Sequence, residues 1–331
     1  MPVVAYEEVE RVVGALLGRA GVPAGNAAVQ AALLVDAQAR GLASHGLMRL
    51  PRILERIANG VADPRATGVH EWRAPGVLKV DGQQGLGPVV ALSALAAAVE
   101  RARSQGVVVV SIAHSNHIGS LGFYAERMAA AGQCLLAFTT SEALVHPWGG
   151  RSAMLGTNPI AIGVPTGGTP FVMDTATSIV SMGKIHDHAA RGAPIPADWA
   201  LDAEGNATTD AAKARDGAIA PFGGAKGYAL GLAFELLVAG LAGAALGRAV
   251  KGTLDSTEPC TKADLFIVID QPVAALDAYL ALIREAPPAE GFSHIRIPGE
   301  RGRALREERR RKGIPVNDAL WARFQDLLQA G

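Results

Sequence analysis

Only two cysteines, Cys134 and Cys260, occur in 331 residues, so a disulfide framework is excluded. Cys134 lies in the apolar run CLLAF and reads as a small buried thiol; Cys260 lies in the loop-like stretch TEPCTK. Aromatic residues make up 5% of the chain and the formal net charge is zero. Those two figures remove base-stacking platforms, the basic footprint of a nucleic-acid binder and a polybasic membrane surface. No basic stub followed by an apolar run opens the chain (MPVVAYEEVERVV is amphipathic), which points to a reducing, cytoplasmic setting. His-Glu-x-x-His and Cys-x-x-Cys spacings are missing, and the adjacent side chains of His186-Asp187-His188 diverge, so no metal site is expected. Gly85-Leu86-Gly87 lacks the third glycine of a dinucleotide fingerprint, because Val90 stands in its place. Lys226 in GGAKG lacks the spacing and the Ser/Thr of a P-loop. The one apolar stretch long enough to raise a membrane span, Gly227 to Val250, carries Glu235 in its middle and small residues suited to close packing.

What is present is an α/β pattern. Val9, Val12, Val13, Leu16 and Leu17 recur at helical spacing over residues 6–20, and an Ala-rich helix with Leu33, Leu34 and Ala37 on one side follows over 25–42. A third helix is expected over 47–58, with Pro51 in its first turn. Strands are expected at 77–80, 107–112, 135–139, 160–164, 170–173 and 265–269, with a turn at Asp81-Gly82. Helices are expected over 88–105, 120–131, the Ala-rich stretch after Gly227, 273–285, 300–312 and 317–328. Residues 184–218 read as polar and irregular. The helices of residues 1–75 and 300–331 are expected to form one layer beside an α/β core of residues 76–299.

Two stretches carry chemistry. In SHGLMR (44–49), Ser44 can hold the ring of His45, and Arg49 follows His45 by one helical turn. An arginine clamps a carboxylate with two parallel hydrogen bonds, and a histidine transfers a proton near neutral pH. The plain alternative is a capped helix start with a solvated arginine. SNHIG (115–119) follows a buried strand, where α/β proteins place ligands, and sets His117 next to Gly119. Its plain alternative is a histidine satisfying a buried carbonyl. The PFGGAKG loop could cradle phosphate at a helix start, or merely begin that helix. Together these residues suggest an enzyme acting on a small carboxylate by proton transfer.

These stretches, with GTNPIAIGVP (156–165), MDTATS (173–178), GKI (183–185), PFGGAKGYAL (221–230) and PGERGR (298–303), resemble in order the malate/L-lactate dehydrogenase family that lacks a Rossmann fold. The resemblance implies a mixed sheet with an N- and C-terminal helical layer, and a homodimer with its active site near the interface. It implies NAD or NADP, with NAD preferred, and hydride transfer at C2 of a small 2-hydroxy or 2-keto acid. Reduction of a cyclic imino acid, or ureidoglycolate or sulfolactate oxidation, are the alternatives within the family. By motif match Ser44 and His45 correspond to a relay serine and proton donor, His117 to a catalytic base, and Arg49 and Thr157 to substrate contacts. Lys184 stands where imine-reducing members carry an aspartate, which favours the hydroxy-acid branch and places Lys184 near substrate. Cofactor positions are implied for His117, Ile118, Gly119, Ser120, Leu121, Ser141, Asp174, Thr175, Ala176, Ala225, Lys226, Gly299, Glu300, Arg301 and Arg303. Of the two histidines, His117 is expected to be the base, with His45 binding and polarising the substrate.

Overall fold

The computed structural model describes residues 1–329. A short strand, β1 (Val3–Val4), leads into helices α1 (Tyr6–Arg19), α2 (Ala24–Ala39) and α3 (Leu50–Ala58), with 3-10 turns at Ala43–His45 and Leu47–Arg49 before α3. Then come β2 (Val69–Ala74), β3 (Val77–Gly85), α4 (Gly87–Gln105), β4 (Val107–Ser115), α5 (Gly122–Ala130), β5 (Cys134–Thr139), β6 (Ile160–Val164) and β7 (Phe171–Thr175). A peripheral unit of α6 (Met182–Ala190), β8 (Ala200–Leu201), α7 (Ala211–Ala214) and β9 (Ala218–Ile219) precedes the long helix α8 (Ala225–Ala242). The chain ends with β10 (Ala263–Ile269), α9 (Asp277–Glu285), α10 (Glu300–Lys312), β11 (Ile314–Pro315) and α11 (Asp318–Gln329).

The central sheet has the order β2-β3-β4-β10-β5-β6-β7. Only β3 and β4 run parallel, joined by α4; the other neighbours are antiparallel. Along β4 the period-two rule sends Val108, Val110 and Ile112 to a core shared with α1, α2, α4 and α5. Val109 and Ala113 face the opposite side, where Phe234, Val238 and Ala242 of α8 cover them. This is the expected mixed sheet, with helices on both faces. β1 pairs with β11 through Val4 and Ile314, which ties the two ends of the chain together.

The structure departs from the sequence reading in places. Residues 69–74 form the edge strand β2. Asp81-Gly82 is not a strand end: the chain bulges through Gln83 and Gln84, at φ 51° and 55°, and pairs again with β4 at Gly85. The region 184–218 holds α6, capped by the Ser181 side chain. Helix α8 stops at Ala242, before a left-handed Gly243, and α9 begins at Asp277 rather than at residue 273. Cys134 is half-buried, whereas Cys260 is the fully buried thiol. Helix α8 is long and apolar enough to cross a membrane, yet it packs on β10, β4 and β5. Glu235 at its middle accepts from the Gly156 and Gly247 amides and from Asn158 Nδ2 at 2.7 Å.

Strand directions gather the motifs. The C-terminal ends of β3 and β4 lie together because these strands are parallel. The start of β10 lies beside the ends of β4 and β5, since Asp264 is opposite both Ile112 and Thr139. The start of β6, Ile160, faces both Phe138 of β5 and Thr175 of β7. SNHIG, Ser141, GTNP, MDTATS and the loop before β10 therefore all leave the same end of the sheet.

Candidate active site

Helix α2 is the rail against which both histidine motifs rest. After Gly41 reverses the chain, Gly46 lies so close to Gln38 that a Cβ would sit 2.6 Å from its Oε1 and 3.0 Å from its Cα. Gly119, at φ 79°, presses on Leu33, where a Cβ would meet Cδ2 at 2.3 Å. Only glycine permits either approach. His45 and His117, 72 positions apart, are thereby brought to a ring-centroid separation of 5.6 Å.

Each ring has a defined partner. Ser44 Oγ lies 3.0 Å from His45 Nδ1. The Gly119 backbone N–H donates to His117 Nδ1 at 3.1 Å. A backbone amide can only donate, so neutral His117 carries its hydrogen on Nε2 and offers an N–H there. A hydroxyl can donate or accept, so His45 can hold its hydrogen on Nδ1, toward Ser44, and keep the Nε2 lone pair free.

Arg49 Nε donates to the Ser44 carbonyl at 2.8 Å and Nη1 to the Thr253 carbonyl at 3.2 Å. These two bonds fix the guanidinium plane and leave Nη2 without a partner among the described residues. Thr253 is itself positioned by Glu142, whose Oε1 accepts from the Thr253 amide at 2.7 Å, its hydroxyl at 3.1 Å and the Leu254 amide at 2.8 Å. Behind them Arg56, buried, donates to Asn116 Oδ1 at 2.7 Å and to the carbonyls of Asp255, Glu258 and Val61. That set ties the loop before β10 to α3 and to the residue preceding His117.

Burial dominates the electrostatics. His45 is pushed down to about 4, chiefly by desolvation and secondly by the Arg49 charge. His117 is held well below its ordinary value by the same causes in the same order. Arg49 is lowered to about 10 by desolvation and then by Arg52, and remains cationic at neutral pH. Both imidazoles are therefore neutral at pH 7 in the unliganded chain.

The remaining expected site residues flank this centre. Ser141 Oγ accepts from the Thr157 amide at 3.0 Å, and Thr177 Oγ1 donates to the Thr157 carbonyl at 2.9 Å. Lys184 sits one residue beyond Gly183, whose Cα packs beside Ser44, but its Nζ lies over the Trp199 ring at 4.6 Å. Asp174 Oδ2 accepts from the Gly122 amide at the start of α5 at 2.7 Å; burial raises its carboxyl to about 6, against that hydrogen bond. Ile118, Ser120 and Leu121 are buried in the loop between His117 and α5. Thr175 turns its hydroxyl back to the Ala176 carbonyl. Helix α8 starts at Ala225 after two left-handed glycines with no side-chain cap, and Lys226 in its first turn is exposed without an ion-pair partner among the described residues. After the left-handed Gly299, Glu300 accepts from Arg284 and from the Ile297 amide, and Arg303 pairs with Glu126 and the Pro170 carbonyl. Arg301 is exposed. Among the described residues no group of three His, Cys, Asp or Glu side chains could hold a metal ion. Sequence reasoning missed Glu142, Thr253 and Arg56, whose roles come from contacts more than 50 positions away and carry no local signal.

A sequence model described as malate/L-lactate dehydrogenase matches residues 4–325. The chain is 36% identical over 320 residues to L-sulfolactate dehydrogenase of Methanocaldococcus jannaschii, covering 94% of this chain and 92% of that protein. It is 39% identical over 317 residues to (2R)-3-sulfolactate dehydrogenase (NADP(+)) of Chromohalobacter salexigens, covering 92% of each. The crystal structure of a dehydrogenase from Sinorhizobium meliloti superimposes with a TM-score of 0.95 at 47% identity, over 98% of both chains.

Proposed function

Because this chain belongs to the malate/L-lactate dehydrogenase family, and is thus a nicotinamide-dependent 2-hydroxycarboxylate dehydrogenase, we propose that its two histidines divide the proton chemistry in the reverse of the order expected from the motifs. The observation that carries this reading is the Gly119 N–H on His117 Nδ1. It makes His117 Nε2 a donor, directed to the C2 oxygen of the substrate. His45 Nε2 takes the hydroxyl proton, while Ser44 accepts from Nδ1–H and steadies the imidazolium that forms. A hydroxyl has one donor and two acceptor positions, so it can serve both rings at once. Arg49 Nη2, held in place by Ser44 and Thr253, takes the substrate carboxylate and thereby aims the C2–H bond.

The residues present suit a dinucleotide. The uncapped start of α8 with exposed Lys226 would take its phosphates. The free oxygen of Asp174 would accept a ribose hydroxyl and repel a 2′-phosphate, which keeps NAD ahead of NADP. Arg301 is the residue through which NADP would be admitted instead. A nicotinamide held there would supply the acceptor for the hydride leaving C2. The products are the 2-keto acid, the reduced cofactor and a proton on His45; reduction runs through the same groups in reverse. The test is absorbance at the nicotinamide band with malate, lactate, sulfolactate and ureidoglycolate, each with NAD and with NADP. No turnover of any of them would sink the reading.

The charge balance sets a pH dependence. In oxidation His45 must be neutral, and its low value keeps it so down to about pH 4. Activity is thus retained above that value and lost as pH falls through it. A bound carboxylate offsets the Arg49 charge, one of the two causes of the depression, and so raises His45 in the complex. The acid limb of kcat/KM should therefore lie near 4 and that of kcat at higher pH. Coincident limbs near 6.5 would contradict this.

We further propose that the enzyme works as a homodimer in a cytoplasmic setting, with α8 at or near the interface. Leu230, Leu237 and Leu241 are 43%, 44% and 50% exposed and share one face of α8. Leu237→Glu with Leu241→Glu should convert a dimer into monomers in light scattering. A native chain that is monomeric and fully active would exclude the interface.

A further inference from the structure

Arg49, Arg52 and Arg56 stand at intervals of three and four on one helical face, and all three line the cleft that also holds Asn116, His117 and Thr253. Their hydrogen bonding differs. Arg56 is satisfied by one side chain and three carbonyls. Arg49 has two fixed bonds and one open edge. Arg52, half-buried, has neither a hydrogen-bond acceptor nor an acidic partner among the described residues, although it lies close enough for its charge to depress both Arg49 and His117. The nearby acids are committed: Glu142 to the amides of Thr253 and Leu254, and Asp255 to those of Gly252, Thr257 and Glu258. A half-buried guanidinium with no partner is an unfavourable arrangement that an incoming anion relieves.

We propose that Arg52 receives a second acidic group of the substrate, so that the enzyme selects 2-hydroxy acids carrying a further carboxylate or sulfonate near C2 over simple monoacids. This rests on the dehydrogenase reading of the same cleft. Arg49 takes the carboxylate attached to C2, and Arg52, one helical turn further along, meets the acid group at the far end. A monoacid leaves Arg52 uncompensated; a diacid neutralises both guanidinium groups.

The experiment compares kcat and KM for malate and lactate in the native enzyme, in Arg52→Gln and in Arg52→Lys. Calorimetry of succinate and propionate on the cofactor-loaded protein provides a readout independent of turnover. The native enzyme should favour malate over lactate. Arg52→Gln should lower kcat/KM for malate by about 30-fold, mainly through KM, and leave lactate nearly unchanged. Arg52→Lys should restore most of the malate activity, and succinate binding should follow the same order while propionate binding does not. An equal loss with both substrates would mark Arg52 as structural and overturn the proposal, as would no loss with either. Should no hydroxy acid be turned over at all, the dehydrogenase reading fails. Succinate binding that is weakened by Arg52→Gln and restored by Arg52→Lys would then still support the second anion site, and succinate bound no more tightly than propionate would overturn it.

Discussion

Replacing His45 by glutamine should lower kcat for 2-hydroxy acid oxidation by about 10³-fold and abolish the acid limb of the pH profile. Glutamine keeps the length and the hydrogen bonding of an imidazole edge but cannot accept and hold a proton. The same change at His117 should be far milder. There the required group is an N–H at the Nε2 position, since the Gly119 amide already occupies Nδ1. A glutamine amide supplies that N–H, whereas His117→Ala does not. The pair of substitutions separates two histidines that lie 5.6 Å apart and are both held neutral by burial. Steady-state kinetics of His45→Gln, His117→Gln and His117→Ala decide the matter. Full loss in His117→Gln together with near-native turnover in His45→Gln would assign the base to His117 after all.

The second large effect is expected at Arg49. Arg49→Ala should reduce kcat/KM by about 10²- to 10³-fold, because a half-buried cation that meets the substrate carboxylate is removed together with the fork that orients it. The loss should appear in both constants. KM rises as the carboxylate loses its partner, and kcat falls because C2 is no longer aimed. Arg49→Lys keeps the charge without the planar fork and should recover only part of the loss. The substitution also frees the Ser44 and Thr253 carbonyls. Thermal unfolding of the variant therefore belongs beside the kinetics. A variant as stable as the native enzyme with unchanged KM would exclude the carboxylate clamp.

The central elements could be read from the sequence because their side chains carry a period. Val9, Val12, Val13, Leu16 and Leu17 of α1 are all buried as the helical spacing implied. In the β4 run VVVVSI, Val108, Val110, Ser111 and Ile112 are buried because the strand lies between β3 and β10 at the middle of the sheet. Helix α6 escaped notice for the opposite reason: Ile185 is its only buried residue, so it has no apolar stripe to betray it. Strand β2 is an edge strand with most of its residues exposed; Trp72 alone of its large side chains packs against the main core, with Arg101 of α4 over its ring. Gly85, which re-pairs after the bulge, lies beyond the turn expected at Asp81-Gly82. The proposed site residues were legible as short contiguous motifs, and the strand directions bring SNHIG, Ser141, GTNP and MDTATS to one end of the sheet. Their division of labour was not legible, because it depends on which atom the Gly119 amide meets. Glu142, Thr253 and Arg56 acquire meaning only from neighbours that the chain brings in from far away.

The central position of β10 imposes an order on how this protein can be made. Asp264 and its neighbours fill the gap between β4 and β5, and the bond from Thr139 to Asp264 spans 125 positions. As the polypeptide leaves the ribosome, β4 and β5 emerge early and wait, each with one long apolar edge open, until the segment that unites them has been translated. From the completion of β5 until β10 is translated, nascent chains of this protein hold two half-sheets in need of shielding, and any product ending before residue 263 never joins them.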